Sequence, residues 1–176
     1  MVAIGYTDKG KRIEFGCIHG ELYCYSSDLV SLEIPEGVKE IDCSNNKLTE
    51  LIIPESTTYV DCSNNKLAEL VLPDSVEIID CSNNKLTELV LPESATYVDC
   101  SNNKLTKLTL PVSVKRIDCG NNKLTELIIP KRVNYLRCGN NLLSKLIIPE
   151  SVKWLYCDKK ISGLDEYIGK VSIYLW

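Results

Sequence analysis

The stretch Cys43-Ser44-Asn45-Asn46-Lys47-Leu48-Thr49-Glu50-Leu51 returns as Cys62-Ser63-Asn64-Asn65-Lys66-Leu67-Ala68-Glu69-Leu70, and again with few changes from Cys81, Cys100 and Cys119. Working outward from it, Cys24, Cys138 and Cys157 keep the same phase, so eight cysteines recur every 19 residues without a slip. A period this short marks a solenoid, in which a unit buries its apolar face only by stacking on its neighbours. Function then becomes a question about columns of exposed residues.

The composition excludes several classes. A chain of 176 residues, 44% hydrophobic and 25% charged, is ordinary for one soluble globular domain. The net charge of -4 and pI near 5.1 argue against a basic, direct nucleic-acid binder. Residues 1–20, MVAIGYTDKGKRIEFGCIHG, carry charges throughout and no apolar run of signal-peptide length, and no stretch approaches a membrane span. The expectation is a protein without membrane contact, cytoplasmic in its source cell or in a host cell.

Nine cysteines in a small domain invite a disulfide reading, but eight of them share one phase of the repeat. Stacked side chains about 5 Å apart, the spacing of adjacent strands, run alongside one another rather than toward each other. Disulfides need a particular approach of the two Cβ vectors, so the expectation is a ladder of small buried thiols, at home in a reducing compartment.

Within the unit starting at Val38, the residues Val38, Ile41, Cys43, Asn46 and Leu48 fall on the pattern L-x-x-L-x-L-x-x-N-x-L. The match recurs through Asn65, Asn84, Asn103, Asn122 and Asn141. The chain therefore resembles the leucine-rich repeat family over roughly residues 22–157, and among its subtypes the short repeats of bacterial effector proteins and giant-virus repeat proteins. Two departures stand out: the period is 19 residues, below the usual 20 to 29, and Cys replaces Leu at the sixth position. The resemblance implies an α/β-class leucine-rich repeat solenoid that is in practice mostly β, with a curved parallel concave sheet and extended or 3₁₀ convex segments. It also implies an internal hydrogen-bonded ladder of Asn46 and its equivalents, and a role in binding another protein.

Seven prolines, from Pro35 to Pro149, sit in phase and suit the segment that leaves the convex side, since proline fixes φ and donates no N–H. The pairs Ile52-Ile53 and Ile128-Ile129 would allow a second short strand there. The column Ile52, Val71, Val90, Thr109, Ile128 and Ile147 is expected half-buried against neighbouring repeats, and Lys47, Lys66, Lys85, Lys104 and Lys123 a solvated face. The ends differ as caps should. Residues 1–21 form an N-terminal hairpin cap turning at Asp8-Lys9-Gly10-Lys11, residues 22–157 the repeats, and 158–176 a C-terminal cap with a helical turn at 165–169 and a last strand over 170–176.

Alternation in Glu40-Ile41-Asp42-Cys43-Ser44 sends Ile41 and Cys43 inward and leaves three exposed columns. The first runs Glu40, Tyr59, Ile78, Tyr97, Arg116, Tyr135, Trp154; the second Asp42, Asp61, Asp80, Asp99, Asp118, Arg137, Tyr156; the third Ser44, Ser63, Ser82, Ser101, Gly120, Gly139, Asp158. Neighbouring aspartates ~5 Å apart repel by roughly 0.8 kcal/mol in a water-like medium and about 3 kcal/mol at an effective dielectric of 20. The column therefore calls for Ser hydroxyls, a bound cation or a basic partner, unless duplication of near-identical units carried it along. The aromatic column varies where the core does not, and exposed Tyr and Trp anchor protein interfaces. Tyr135, Trp154 and Tyr156, beside Arg116 and Arg137, are the expected hot spot.

Catalysis has little to rest on. His19 is the only histidine, and no phosphate loop or H-E-x-x-H motif is present. Cys17-x-His19-x4-Cys24 offers three ligand types, short of a structural zinc site, and a flat Asp ladder lacks the wrapping loop of a calcium site. The expectation is a noncatalytic protein-interaction module without metal or cofactor, possessing the surface of a host-directed effector or viral inhibitor. The alternatives are an acidic mimic of nucleic acid that blocks a DNA-binding protein, and a structural protein that self-associates.

Overall fold

The computed structural model describes residues 1–175. One short strand per repeat builds a single parallel sheet: β3 (Glu21–Tyr23), β5 (Glu40–Asp42), β6 (Tyr59–Asp61), β7 (Ile78–Asp80), β8 (Tyr97–Asp99), β9 (Arg116–Asp118), β10 (Tyr135–Arg137), β11 (Trp154–Cys157) and β12 (Ser172–Leu175), in that order across the sheet. The register is unbroken, with Ile41, Val60, Ile79, Val98, Ile117, Leu136 and Leu155 aligned strand to strand. Slipping one strand by a residue would turn its core face to water, so the alignment is fixed by burial.

The core is the stack of inward columns. Val38, Ile41, Cys43 and Leu48 have no accessible surface, nor do their equivalents Val76, Ile79, Cys81 and Leu86. At about 1.5–3 kcal/mol for a fully buried aliphatic side chain, this column outweighs anything on the surface. All nine cysteines are free and buried. Burial pushes the Cys24 thiol up to about 12 and that of Cys157 to about 11, and those between them higher than the ordinary 9.0.

The asparagine pair after each of β5 to β10 does two different jobs. Asn45, Asn64, Asn83, Asn102, Asn121 and Asn140 sit at φ 54–56°, the left-handed region that Asn tolerates better than other non-glycine residues. The second Asn turns inward: Asn46 Nδ2 donates to the carbonyls of Cys24 (3.0 Å) and Cys43 (2.9 Å), while its Oδ1 accepts from Ser27 N (3.0 Å) and Leu29 N (2.9 Å). Each inner Asn thus ties its own turn to the preceding repeat, as Asn84 does to Cys62 O and Leu67 N.

On the back of the solenoid the repeats run extended and irregular, and among the described residues the second strand allowed by the Ile-Ile pairs does not form there. Adjacent back segments share one backbone bond, such as Lys66 N to Leu48 O at 2.8 Å. The proline carbonyl then closes a tight turn, Pro54 O accepting from Thr57 N at 3.0 Å. Alternation buries Leu51 and Ile53 and turns Ile52 out. The stripe expected to be half-buried is therefore open: Ile52, Val71, Val90, Ile128 and Ile147 are 73–84% exposed.

At the N-terminal end β1 (Val2–Thr7) and β2 (Arg12–Gly16) form an antiparallel hairpin, and β4 (Leu29–Glu33) from the first repeat pairs with the other edge of β1. Ala3 and Leu29 are fully buried between this small sheet and the stack. At the other end a 3₁₀ helix (Leu164–Tyr167) follows Gly163, whose φ of 81° suits glycine, and leads into β12. Trp176, the end of the expected last strand, lies outside the described residues.

Candidate protein-binding face

The parallel register places each predicted column on adjacent strands, so Tyr59, Tyr97, Arg116, Tyr135 and Trp154 line one row and Asp42, Asp61, Asp80, Asp99, Asp118, Arg137 and Tyr156 the next. The third row is different from expectation. Ser44, Ser63, Ser82, Ser101 and Asp158 are all 6–8% exposed, because the chain has already begun its turn and their groups are consumed internally. Asp158 accepts from Asn140 N at 2.9 Å and closes the last turn.

That third row explains the aspartates. Oδ1 of each accepts the backbone N–H two residues on: Ser44 N at 3.1 Å from Asp42, Ser63 N at 2.9 Å from Asp61, Ser82 N at 3.0 Å from Asp80, Ser101 N at 3.0 Å from Asp99 and Gly120 N at 3.0 Å from Asp118. The Ser44 and Ser101 hydroxyls add a second bond at 2.7 Å. The carboxylates therefore finish each strand locally, a role for Asp that needs no ligand. Yet partial burial raises the pKa of Asp61, Asp80, Asp99 and Asp118, and neighbouring carboxylates add to the rise. Hydrogen bonds from Ser63, Ser82 and Ser101 work against it in the first three, as the Gly120 N–H does for Asp118.

The two halves of the face differ. Toward the C-terminal end Arg137 Nη1 lies 3.2 Å from Asp118 Oδ2, and its guanidinium stands 5.6 Å from the Tyr156 ring centroid. Arg116 is sandwiched between the rings of Tyr97 (5.4 Å) and Tyr135 (4.7 Å). Tyr135 and Tyr156 have centroids 5.6 Å apart at a tilt of 42°. Tyr156 stacks at 4.5 Å on Tyr174, a residue that sequence reasoning missed. Its signal was present: β12 pairs Tyr156 with Tyr174, an offset of 18 residues, so following the column past the shortened last repeat finds it.

Two hollows flank the cluster. One of about 260 Å³ is walled by Arg116, Asn134, Tyr135, Trp154 and Tyr156. The other, about 270 Å³, includes Asp99, Asp118, Asn121, Arg137, Gly120 and Gly139 in its walls. A Cβ on Gly120, in the wall of this second hollow, would stand 3.2 Å from Asp118 Oδ1 and 3.4 Å from Gly139 O. The metal-ligand types near the N-terminus do not converge: Cys17 and Cys24 are buried, His19 is exposed, and among the described residues no three His, Cys, Asp or Glu side chains are grouped to hold an ion. No helix among the described residues is long and apolar enough to cross a membrane.

An unbroken parallel sheet of one short strand per 19-residue unit, an internal asparagine ladder and a buried cysteine column define the chain as a leucine-rich repeat solenoid of the short-repeat type. It is similar to YopM, a leucine-rich effector protein from Yersinia pestis, at 31% identity and a TM-score of 0.78, covering 89% of this chain and 48% of that one. It is also similar to a Shigella effector leucine-rich repeat domain, at 26% identity and a TM-score of 0.74, covering 89% of this chain and 81% of the other. The functional domain of InlJ from Listeria monocytogenes, which includes a cysteine ladder, shares the fold at 18% identity and a TM-score of 0.55, covering 89% of this chain and 53% of that one. The chain spans 30% to 53% of the length of the YopM and InlJ structures it matches. No protein-family model and no curated protein matches it.

Proposed function

We propose that this chain is a noncatalytic protein-binding module that holds a partner protein against its sheet face, anchored on the Tyr97, Arg116, Tyr135, Trp154, Tyr156 and Tyr174 cluster. The observation that carries the reading is the contiguity of that cluster, in which cation–π and stacked contacts fix the side chains beside open hollows. Rigid aromatic and arginine groups lose little entropy on binding and dominate interface energetics. Likeness to leucine-rich effector proteins supports a protein partner and a host-directed role. The Asp61, Asp80 and Asp99 row favours a basic segment of that partner lying across the N-terminal half, since each carboxylate has like charges beside it.

The test is affinity capture from host-like lysate with the native chain and with a Tyr135→Ala, Trp154→Ala, Tyr156→Ala variant, followed by direct binding measurement on the captured protein. A partner held by the native chain and lost from the variant supports the site. Equal capture by both chains overturns it.

A further inference from the structure

The back of the solenoid carries a feature that partner binding on the sheet face leaves unused. Ile52, Val71, Val90, Thr109, Ile128 and Ile147 stand in line, and the aliphatic members are 73–84% exposed. Six residues at strand spacing make a stripe on the order of 25 Å long. Hollows of about 410 Å³ and 520 Å³ lie along it, the first between the Val71 and Val90 repeats and the second between those of Ile128 and Ile147. Apolar side chains exposed in line over this extent, interrupted only at Thr109, mark an interaction site.

The flanking charges say what covers it. The row beside the stripe reads Glu50, Glu69, Glu88, Lys107, Glu126, Lys145, all exposed, so its sign changes along the molecule. We propose that the stripe is the interface of a two-fold antiparallel homodimer, with the axis passing between the Val90 and Thr109 repeats. In that arrangement Glu50 faces Lys145 of the second copy and Glu88 faces its Lys107. Symmetry makes each pair twice, as an isologous contact requires. On the other flank Asp74 faces Lys131. Glu69 opposite Glu126 and Glu55 opposite Glu150 are like-charged, so six opposite contacts stand against four like ones. Turning the second copy about an axis along the stripe instead sets Glu50, Glu69 and Glu88 against Glu55, Asp74 and Glu93, which reverses that balance. Ile52 then covers Ile147 and Val71 covers Ile128, burying the exposed aliphatic surface on both copies.

Sedimentation velocity on the full chain under reducing conditions, from 1 to several hundred micromolar, reads the association. The expected result is a concentration-dependent dimer that Val71→Lys with Val90→Lys converts to monomer, with the far-ultraviolet spectrum and melting temperature retained. Glu88→Lys alone and Lys107→Glu alone each weaken the dimer on the order of tenfold, and the two together restore it, because the swap regenerates the antiparallel pair. A monomer at every concentration, a dimer indifferent to the lysine variants, or failure of the double reversal to restore affinity each overturns the proposal.

Discussion

The guanidinium carbon of Arg116 stands 4.7 Å from the ring centroid of Tyr135, one strand further along the sheet. With Tyr97 on its other side at 5.4 Å, the arginine is held between two rings before any partner arrives. Arg116→Lys retains the charge but not the planar stack. It should weaken partner binding by about 1 kcal/mol, and Arg116→Ala or Tyr135→Ala by about 2 kcal/mol. Titration calorimetry with the captured partner checks the order.

The paired asparagines should lose stability on substitution for two different reasons. Asn83 needs a positive φ, so Asn83→Gly is near neutral while Asn83→Ala costs about 1–2 kcal/mol. Asn84 instead serves Cys62 O, Cys81 O and Leu67 N; removing it orphans the buried Leu67 N–H and strips one donor from each carbonyl, which keep Asn65 Nδ2 and Asn103 Nδ2. Asn84→Ala should cost about 2–4 kcal/mol, read from urea unfolding midpoints at unchanged slope.

Alkali should unfold the chain abruptly. The ladder thiols titrate near 9.0 when unfolded, but burial holds Cys24 up to about 12 and Cys157 to about 11, with the inner members above the ordinary value. Folded chains then keep protons that unfolded chains release, and stability falls as pH rises above 9.0. Each thiol contributes about 1.4 kcal/mol per pH unit. Melting temperature followed from about pH 8 to about pH 10.5 should drop steeply, and Cys100→Ala should move the drop to higher pH.

Mild acid should do the reverse through the aspartates. The folded pKa values of Asp61, Asp80, Asp99 and Asp118 are raised above 3.8, so the folded state binds these protons more tightly and gains stability as pH falls from neutral through the raised values. Exposed Asp8, lowered by its hydrogen bond and ion pair with Lys47, works in the opposite direction. Asp80→Asn preserves the acceptor for Ser82 N while removing the charge. It should stabilise the chain at neutral pH by about 1 kcal/mol and flatten the profile between about pH 7 and about pH 4.

Much of this was legible from one 19-residue unit. Period and alternation assign Ile41 and Cys43 to the core and Glu40 and Asp42 to the surface, because a parallel stack copies one register to every strand. The third row departs for a local reason: alternation ends where the strand ends, and Ser44 already belongs to a turn closed by Asp42. The left-handed conformation of Asn45 is a backbone property that no pattern of polarity reveals. The exposure of Ile52 is equally hidden, because burial there depends on whether adjacent back segments close over it. The single bond linking them, Lys66 N to Leu48 O, lies too far up the chain to do so. Tyr174 hides behind a one-residue contraction of the period.

Because Asn65 and Asn84 present the same donors and acceptors to the repeat before them, the junctions of the stack are interchangeable. Excising residues 57–75 as one block would leave every junction with a matching neighbour and bring the N-terminal hairpin one step, ~4.8 Å, nearer to Tyr135. The scaffold is a ruler with uniform graduations, and the distance between whatever its two ends touch is set by how many marks the gene retains.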